Sequence, residues 1–222
     1  MREAFTAELD AISDDLVHLT RLVGSAMNRA TQSLLDADLR LAEEVIAADE
    51  QVDVITAETE EKCFDVIALQ APVASDLRIV IGALRIASSL ERMGDLAEHV
   101  AKQARMRYPA PAIPQELRGT FAEMGGIAEA IVSKTGAVIA TKDVALATDI
   151  ARHDEQMDHL HRELFTIVLS PSWKHGVEAA IDVTLLSRFY ERYADHAVSV
   201  TRRVVTIVTG EPYAGVTLDA GH

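Results

Sequence analysis

The chain has 222 residues, enough for one large domain or two small ones. It is 49% hydrophobic but only 5% aromatic, a composition of packed helices rather than of a tyrosine-rich β-sandwich. A formal charge of −14, split −9 and −5 between residues 1–107 and the remainder, offers no basic field for a nucleic-acid backbone or an anionic lipid surface.

Six helical patterns run along the chain in two sets of three. The first extends from the N-terminus to about Leu35, with apolar residues at Leu9, Ile12, Leu16, Leu19, Val23, Met27 and Leu34. Asp36-Ala37-Asp38 supplies a turn and an N-cap candidate. The second covers about Leu39 to Leu69 and is stopped by Pro72, which cannot continue the hydrogen-bond ladder. The third covers about Ala74 to Arg107, with its stripe at Ile79, Ala83, Ile86, Leu90, Met93, Ala97 and Val100. Arg105 and Arg107 in its last turn suit the helix dipole.

Three prolines between Tyr108 and Pro114 predict a stiff, extended connector and a domain boundary. The second set follows: about Glu116 to Ala140, about Ala145 to Leu169, and about Val177 to Thr209, which Gly210 caps. Residues 213–222 are small and polar and predict a frayed tail. Long helices joined by short turns run antiparallel. The expected fold is therefore all-α, two tandem three-helix bundles related by internal duplication. Residues 1–107 and 115–212 form the bundles and residues 108–114 the linker.

The duplication is visible in two motifs. Glu-Arg-x-x-Asp occurs at Glu91–Asp95 and again at Glu191–Asp195, and Asp-Glu-Gln-x-Asp at Asp49–Asp53 and at Asp154–Asp158. At roughly 100° per residue, Glu91 lies about 160° from Met93 and Asp95 a further turn on, so both leave the apolar stripe for a surface row. Glu191 and Asp195 repeat that placement away from Tyr190 and Tyr193. In an antiparallel hairpin the middles of neighbouring helices are level. Asp49, Asp53, Glu91 and Asp95 then share one patch, and Asp154, Asp158, Glu191 and Asp195 another.

Like charges one helical turn apart repel by roughly 0.2–0.5 kcal/mol. Oxygen-rich clusters are what cations such as Mg²⁺, Mn²⁺ or iron require. A solvated acidic face is the plain alternative. Arg92 and Arg192 are placed to pair with neighbouring acids. Asp158-x-x-His161 looks like half of a di-iron motif, but Thr56 stands at the matching place in the first half. Cys63 reads as packing, and Gly125-Gly126 as a point of close helix approach. No phosphate-cradling glycine loop, secretory signal or membrane-length apolar run is present, so a cytoplasmic protein is expected.

Leu69-Gln70-Ala71-Pro72-Val73-Ala74-Ser75-Asp76-Leu77-Arg78, Ala83-Leu84-Arg85-Ile86-Ala87 and Leu90-Glu91-Arg92-Met93-Gly94-Asp95 together resemble the PhoU family of bacterial phosphate-transport accessory and regulatory proteins. Tyr190 to Ala197 resembles the family's second repeat, and Ile207 to Glu211 its C-terminal end. The resemblance implies two tandem three-helix bundles and a non-enzymatic negative regulator, commonly dimeric. Such a protein contacts the ATPase subunit of the phosphate ABC transporter and the phosphate-response sensor histidine kinase, and reaches the membrane only through them. It also implies metal sites, with iron, zinc, manganese or magnesium bound by Asp49, Asp53, Glu91 and Asp95, and by Asp154, Asp158, Glu191 and Asp195. Two departures stand out: Asp95 is followed by Leu96 where the second copy has His196, and Gly94 corresponds to Ala194. A carboxylate-bridged metal enzyme or a metal-storage bundle is the alternative from another class, weakened by the lack of a paired acid-x-x-His.

Overall fold

A computed structural model describes residues 2–211, so the expected tail at residues 213–222 lies outside the described residues. Six helices form, within two residues of the predicted ends: α1 (Arg2–Asp36), α2 (Leu39–Gln70), α3 (Ala74–Arg107), α4 (Arg118–Thr141), α5 (Leu146–Val168) and α6 (Gly176–Thr209). A single 3₁₀ turn, Gln115–Leu117, precedes α4.

Local chemistry explains the ends. Asp38 caps α2, its side chain accepting the Leu41 N–H at 3.0 Å. The helix closes at Ala71, in the left-handed region at φ 46°, whose N–H reaches the Ile67 carbonyl just before Pro72. Gly210, at φ 79°, closes α6 by donating to Thr206, a conformation that glycine adopts without strain.

Helices α1–α3 and α4–α6 form the two bundles, and the bundles pack through α1 on α4 and α3 on α6. Among the described helices, the outer ones, α2 and α5, pack on helices of their own bundle alone. One apolar core therefore runs through the molecule, from Leu19, Met27 and Leu90 across to Phe121, Ile131 and Leu186. Tyr190 and Tyr193 lie fully buried in it, with their polar ends satisfied. The Tyr190 hydroxyl pairs with Thr31 Oγ1 at 2.7 Å, and Tyr193 donates to the Val23 carbonyl at 3.2 Å.

Close approach of α1 and α4 depends on Gly125, where an added Cβ would lie 2.6 Å from Thr31 Cγ2. Its neighbour Gly126 faces open space, so only one of the pair serves packing. Cys63 is buried, as a packing residue should be. The proline-rich segment corrects the extended-connector expectation. Tyr108 and Ala110 donate back to Arg105 and Arg107, and Ala112 and Ile113 are buried in the common core. Burial of those two apolar side chains folds the segment down onto the bundles instead of holding them apart.

Two acidic seams as the candidate functional site

Each predicted set of four acids lies along the seam between an outer helix and its inner neighbour: α2–α3 in the first bundle, α5–α6 in the second. The acids do not form a freely solvated row. Asp53 and Asp195 are exposed, but Asp49, Glu91, Asp95, Asp154, Asp158 and Glu191 are half-buried in the seams. Helical periodicity places them off the apolar stripe; the neighbouring helix then covers that flank.

In the first seam, Gly94 lets Asp49 come close. A Cβ at position 94 would stand 2.9 Å from Asp49 Oδ1 and 3.2 Å from Val52 Cγ1. Burial pushes the Asp49 carboxyl up to about 6, and the charges of Glu98, Asp53 and Asp95 add to it, against a partial offset from Lys102. Glu91 is also raised, by burial first, with Arg92 opposing and Asp95, Asp53 and Glu60 reinforcing. Arg92 donates to Asp95 Oδ2 at 2.6 Å, so the anticipated arginine pairing exists here.

In the second seam, Asp154 rises to about 7 through burial, then through Asp158, Asp195 and Glu191, with Arg202 opposing. Glu191 is raised by burial and by Asp195, while Arg188 opposes. Arg188, three residues upstream, takes the ion pair with Glu191, and among the described residues Arg192 makes no such pair. His161 joins Ser187 Oγ at 2.9 Å across the seam, and burial together with Arg188 holds its pKa down.

Each set of four thus shares one electrostatic neighbourhood, enlarged by acids and bases not selected from the sequence motifs. Glu98 and Glu60 join the first and Arg188 and Arg202 the second. Glu98 and Arg188 carried a readable signal, lying one turn from Asp95 and Glu191. The chemistry of the donors, carboxylates on two facing helices, fits a hard or borderline cation. As the side chains stand, no three Asp, Glu, His or Cys groups among the described residues converge tightly enough to hold one. Arg92 and Arg188 already occupy one acid of each seam.

Midway between the seams, α3 and α6 enclose a cleft of about 210 Å³ lined by Arg92, Asp95, His99, Phe189, Arg192 and His196. The His99 and Phe189 rings lie 5.3 Å apart across it. No helix among the described residues is long and apolar enough to cross a membrane.

Comparison with known proteins places this arrangement. The PhoU domain family matches the chain twice, over residues 16–104 and 121–204, one match in each bundle. The chain is 50% identical to phosphate-specific transport system accessory protein PhoU homolog 2 of Mycobacterium tuberculosis, over 95% of this chain and 99% of that one. It is 33% identical to the PhoU homolog of Aquifex aeolicus, over 83% and 84% of the two chains. Crystal structures of PhoU from Pseudomonas aeruginosa (TM-score 0.82, 28% identity, 93% of this chain and 100% of that one) and of the phosphate transport system regulatory protein PhoU from Streptococcus pneumoniae (TM-score 0.84, 25% identity, 94% and 98%) share the fold. Six helices in two bundles, an acidic motif pair repeated in each, and full-length likeness to these proteins lead to one conclusion: the chain belongs to the PhoU family.

Proposed function

We propose that this chain is a cytoplasmic negative regulator of phosphate uptake and of the phosphate-starvation two-component response. It acts by binding, as an adaptor between the ATPase subunit of the phosphate ABC transporter and the sensor histidine kinase. The observation that carries the reading is likeness over nearly the whole length to proteins named as accessory to the phosphate-specific transport system.

Surface chemistry supports an adaptor. The α2–α3 turn exposes Leu69, Val73 and Leu77, and the α5–α6 turn exposes Leu169, Val177 and Ile181 at repeat-related places. Large apolar side chains left in water at two equivalent turns are a feature of protein-binding surfaces. They also suit a homodimer or two different partners.

The acidic seams are proposed as cation sites, with Asp49, Asp53, Glu91 and Asp95 as the ligands of one and Asp154, Asp158, Glu191 and Asp195 as the ligands of the other. A bound iron, zinc, manganese or magnesium ion would neutralise the crowded carboxylates there. Binding requires Arg92 to release Asp95 and Arg188 to release Glu191.

The regulatory reading is tested in a host strain lacking all PhoU-family genes and complemented with this chain alone. Phosphate uptake at high external phosphate should fall back to the repressed level. Uptake that stays derepressed, with the protein present and folded, overturns it. The metal sites are tested separately, by elemental analysis of protein purified without chelator. Stoichiometric metal should disappear in the Glu91→Ala, Asp95→Ala, Glu191→Ala, Asp195→Ala variant; no metal in either protein after addition overturns the sites.

A further inference from the structure

Helices α3 and α6 lie antiparallel, and a shift of 100 residues maps each end of their contact onto the other. At one end, α3 presents Gln103 and Arg107, and α6 presents Asp182 and Glu178. Asp182, 4% exposed, accepts from Gln103 Nε2 at 2.6 Å and from Arg107 Nε at 2.6 Å, while Glu178 takes a second nitrogen of Arg107.

At the other end the corresponding residues are Arg203 and Ile207 of α6, facing Gly82 and Arg78 of α3. The acid of Asp182 is replaced by a glycine, and that of Glu178 by an arginine. A Cβ at Gly82 would stand 2.4 Å from Ile207 Cδ1, so Ile207 fills the place of the missing side chain.

Cations therefore accumulate at this end. Arg78, Arg85, Arg202 and Arg203, with Ser199 and Thr206, line a groove of about 450 Å³. Arg203 is anchored, donating to Ser89 Oγ and Ser199 Oγ at 2.9 Å each. Burial, with Arg85 beside it, holds its pKa below the ordinary guanidinium value. Arg78 passes over Gly210, and its buried Nε has no hydrogen-bond partner among the described residues. Among the described residues no carboxylate lies within 4.0 Å of Arg78, Arg85 or Arg203, and Arg202 feels the charge of Asp154. Like charges drawn together in a chain of net charge −14 are destabilising unless an anion completes them.

We propose that the α3–α6 arginine groove binds a phosphate-type oxyanion, either inorganic phosphate or the phosphate group of a small phosphomonoester. Guanidinium forks match such oxygens in pairs, which a single ammonium does not. The ligand takes the place that the carboxylates of Asp182 and Glu178 occupy at the opposite end. This assignment does not depend on the regulatory reading, because it predicts binding by the isolated chain.

The test is isothermal titration calorimetry on the full chain, dialysed free of phosphate into low-salt chloride buffer, with inorganic phosphate and with AMP as probes. Saturable binding is expected for at least one probe, weakened at least about tenfold by Arg85→Ala and by Arg78→Ala. The control Arg40→Ala, which removes an exposed cation paired with Glu44 on α2, should change affinity by less than about twofold. Arg85→Lys keeps the charge but loses the fork, and should fall between wild type and Arg85→Ala. Preference for AMP identifies a phosphomonoester as the ligand, and preference for phosphate the free ion. Should Arg78→Ala fail to fold, the exposed Arg85 carries the test alone. No saturable heat with either probe overturns the proposal. So does equal weakening by Arg40→Ala, or binding of a poly-glutamate peptide alone.

Discussion

The two bundles carry the same acidic motifs, yet they neutralise them differently. In the first, Arg92 belongs to the motif itself and pairs with Asp95. In the second, the equivalent Arg192 stands aside, and Arg188, outside the motif, takes Glu191. Asp49 lies against Gly94 and rises to about 6, whereas Asp154 faces a helix with Ala194 and rises to about 7. Thr56 has no partner for its buried hydroxyl among the described residues, whereas the matching His161 reaches Ser187. The difference teaches that duplication preserved the helix face on which the acids stand but not the counter-charges around them. The most strained acid is the first Asp of Asp-Glu-Gln-x-Asp in both copies, raised chiefly by burial, and the charges one turn away or on the next helix adjust how far.

The largest effect should come from position 182, where the second repeat has a buried acid and the first has Gly82. Asp182→Ala strands Gln103 and Arg107, and should destabilise the chain by about 2–3 kcal/mol in denaturant unfolding. The value is held below that of a fully buried pair because Arg107 is partly exposed and can turn to water. A loss under about 0.5 kcal/mol would show that this end of α3–α6 is not a clamp, and the contrast with the arginine groove would fail.

Next come the strained acids, studied with chelator present. A carboxylate raised in the folded state contributes stability that is complete below its ordinary value of 3.8. That contribution is lost as pH rises through about 6 for Asp49 and about 7 for Asp154. At pH 8, Asp154→Asn should therefore stabilise by about 1–2 kcal/mol after discounting for partial exposure, and Asp49→Asn by about 1 kcal/mol or less. Melting temperatures should rise by about 2–4 °C per kcal/mol, and the gain should vanish near pH 4. The reverse order of the two variants would break the comparison between the seams.

A smaller effect is expected from exchanging the residue inside the motif. Gly94→Ala pushes on Asp49 and Val52, and should cost about 1 kcal/mol net of its better helix propensity. Ala194→Gly loses a buried methyl and helix propensity, for a similar cost. Denaturant midpoints decide it: Gly94→Ala more stable than wild type would mean the close approach of Asp49 is not enforced by the glycine. The smallest change should come from Thr56→Val, which replaces an unsatisfied hydroxyl by a methyl of the same shape. It should stabilise by about 0.5–1 kcal/mol, while Ser187→Ala in the other seam destabilises by about as much.

Much was legible in the sequence because it depends on neighbours a few residues apart. Apolar recurrence every three or four residues gave six helices with ends right to within two residues, and Asp38, Pro72 and Gly210 marked where they stop. The repeated acids and their helix faces followed from the same periodicity. Tyr108–Pro114 misled, since proline content announces stiffness but not the burial of Ala112 and Ile113 that folds the segment down.

What the sequence determined by itself is the set of helices, the duplication and the resemblance to the PhoU family. Only the tertiary structure decided which charges meet. Arg107 finds Asp182, 75 residues away, and Arg203 finds Ser89, 114 residues away. Arg78 and Arg85 come from the first repeat and Arg202 and Arg203 from the second, in a chain whose overall charge gave no hint of a basic site. Helical periodicity fixes the direction of a side chain on its own helix. The register in which two helices pack is set by side-chain fit along their whole length, so contacts between distant segments cannot be read from local spacing.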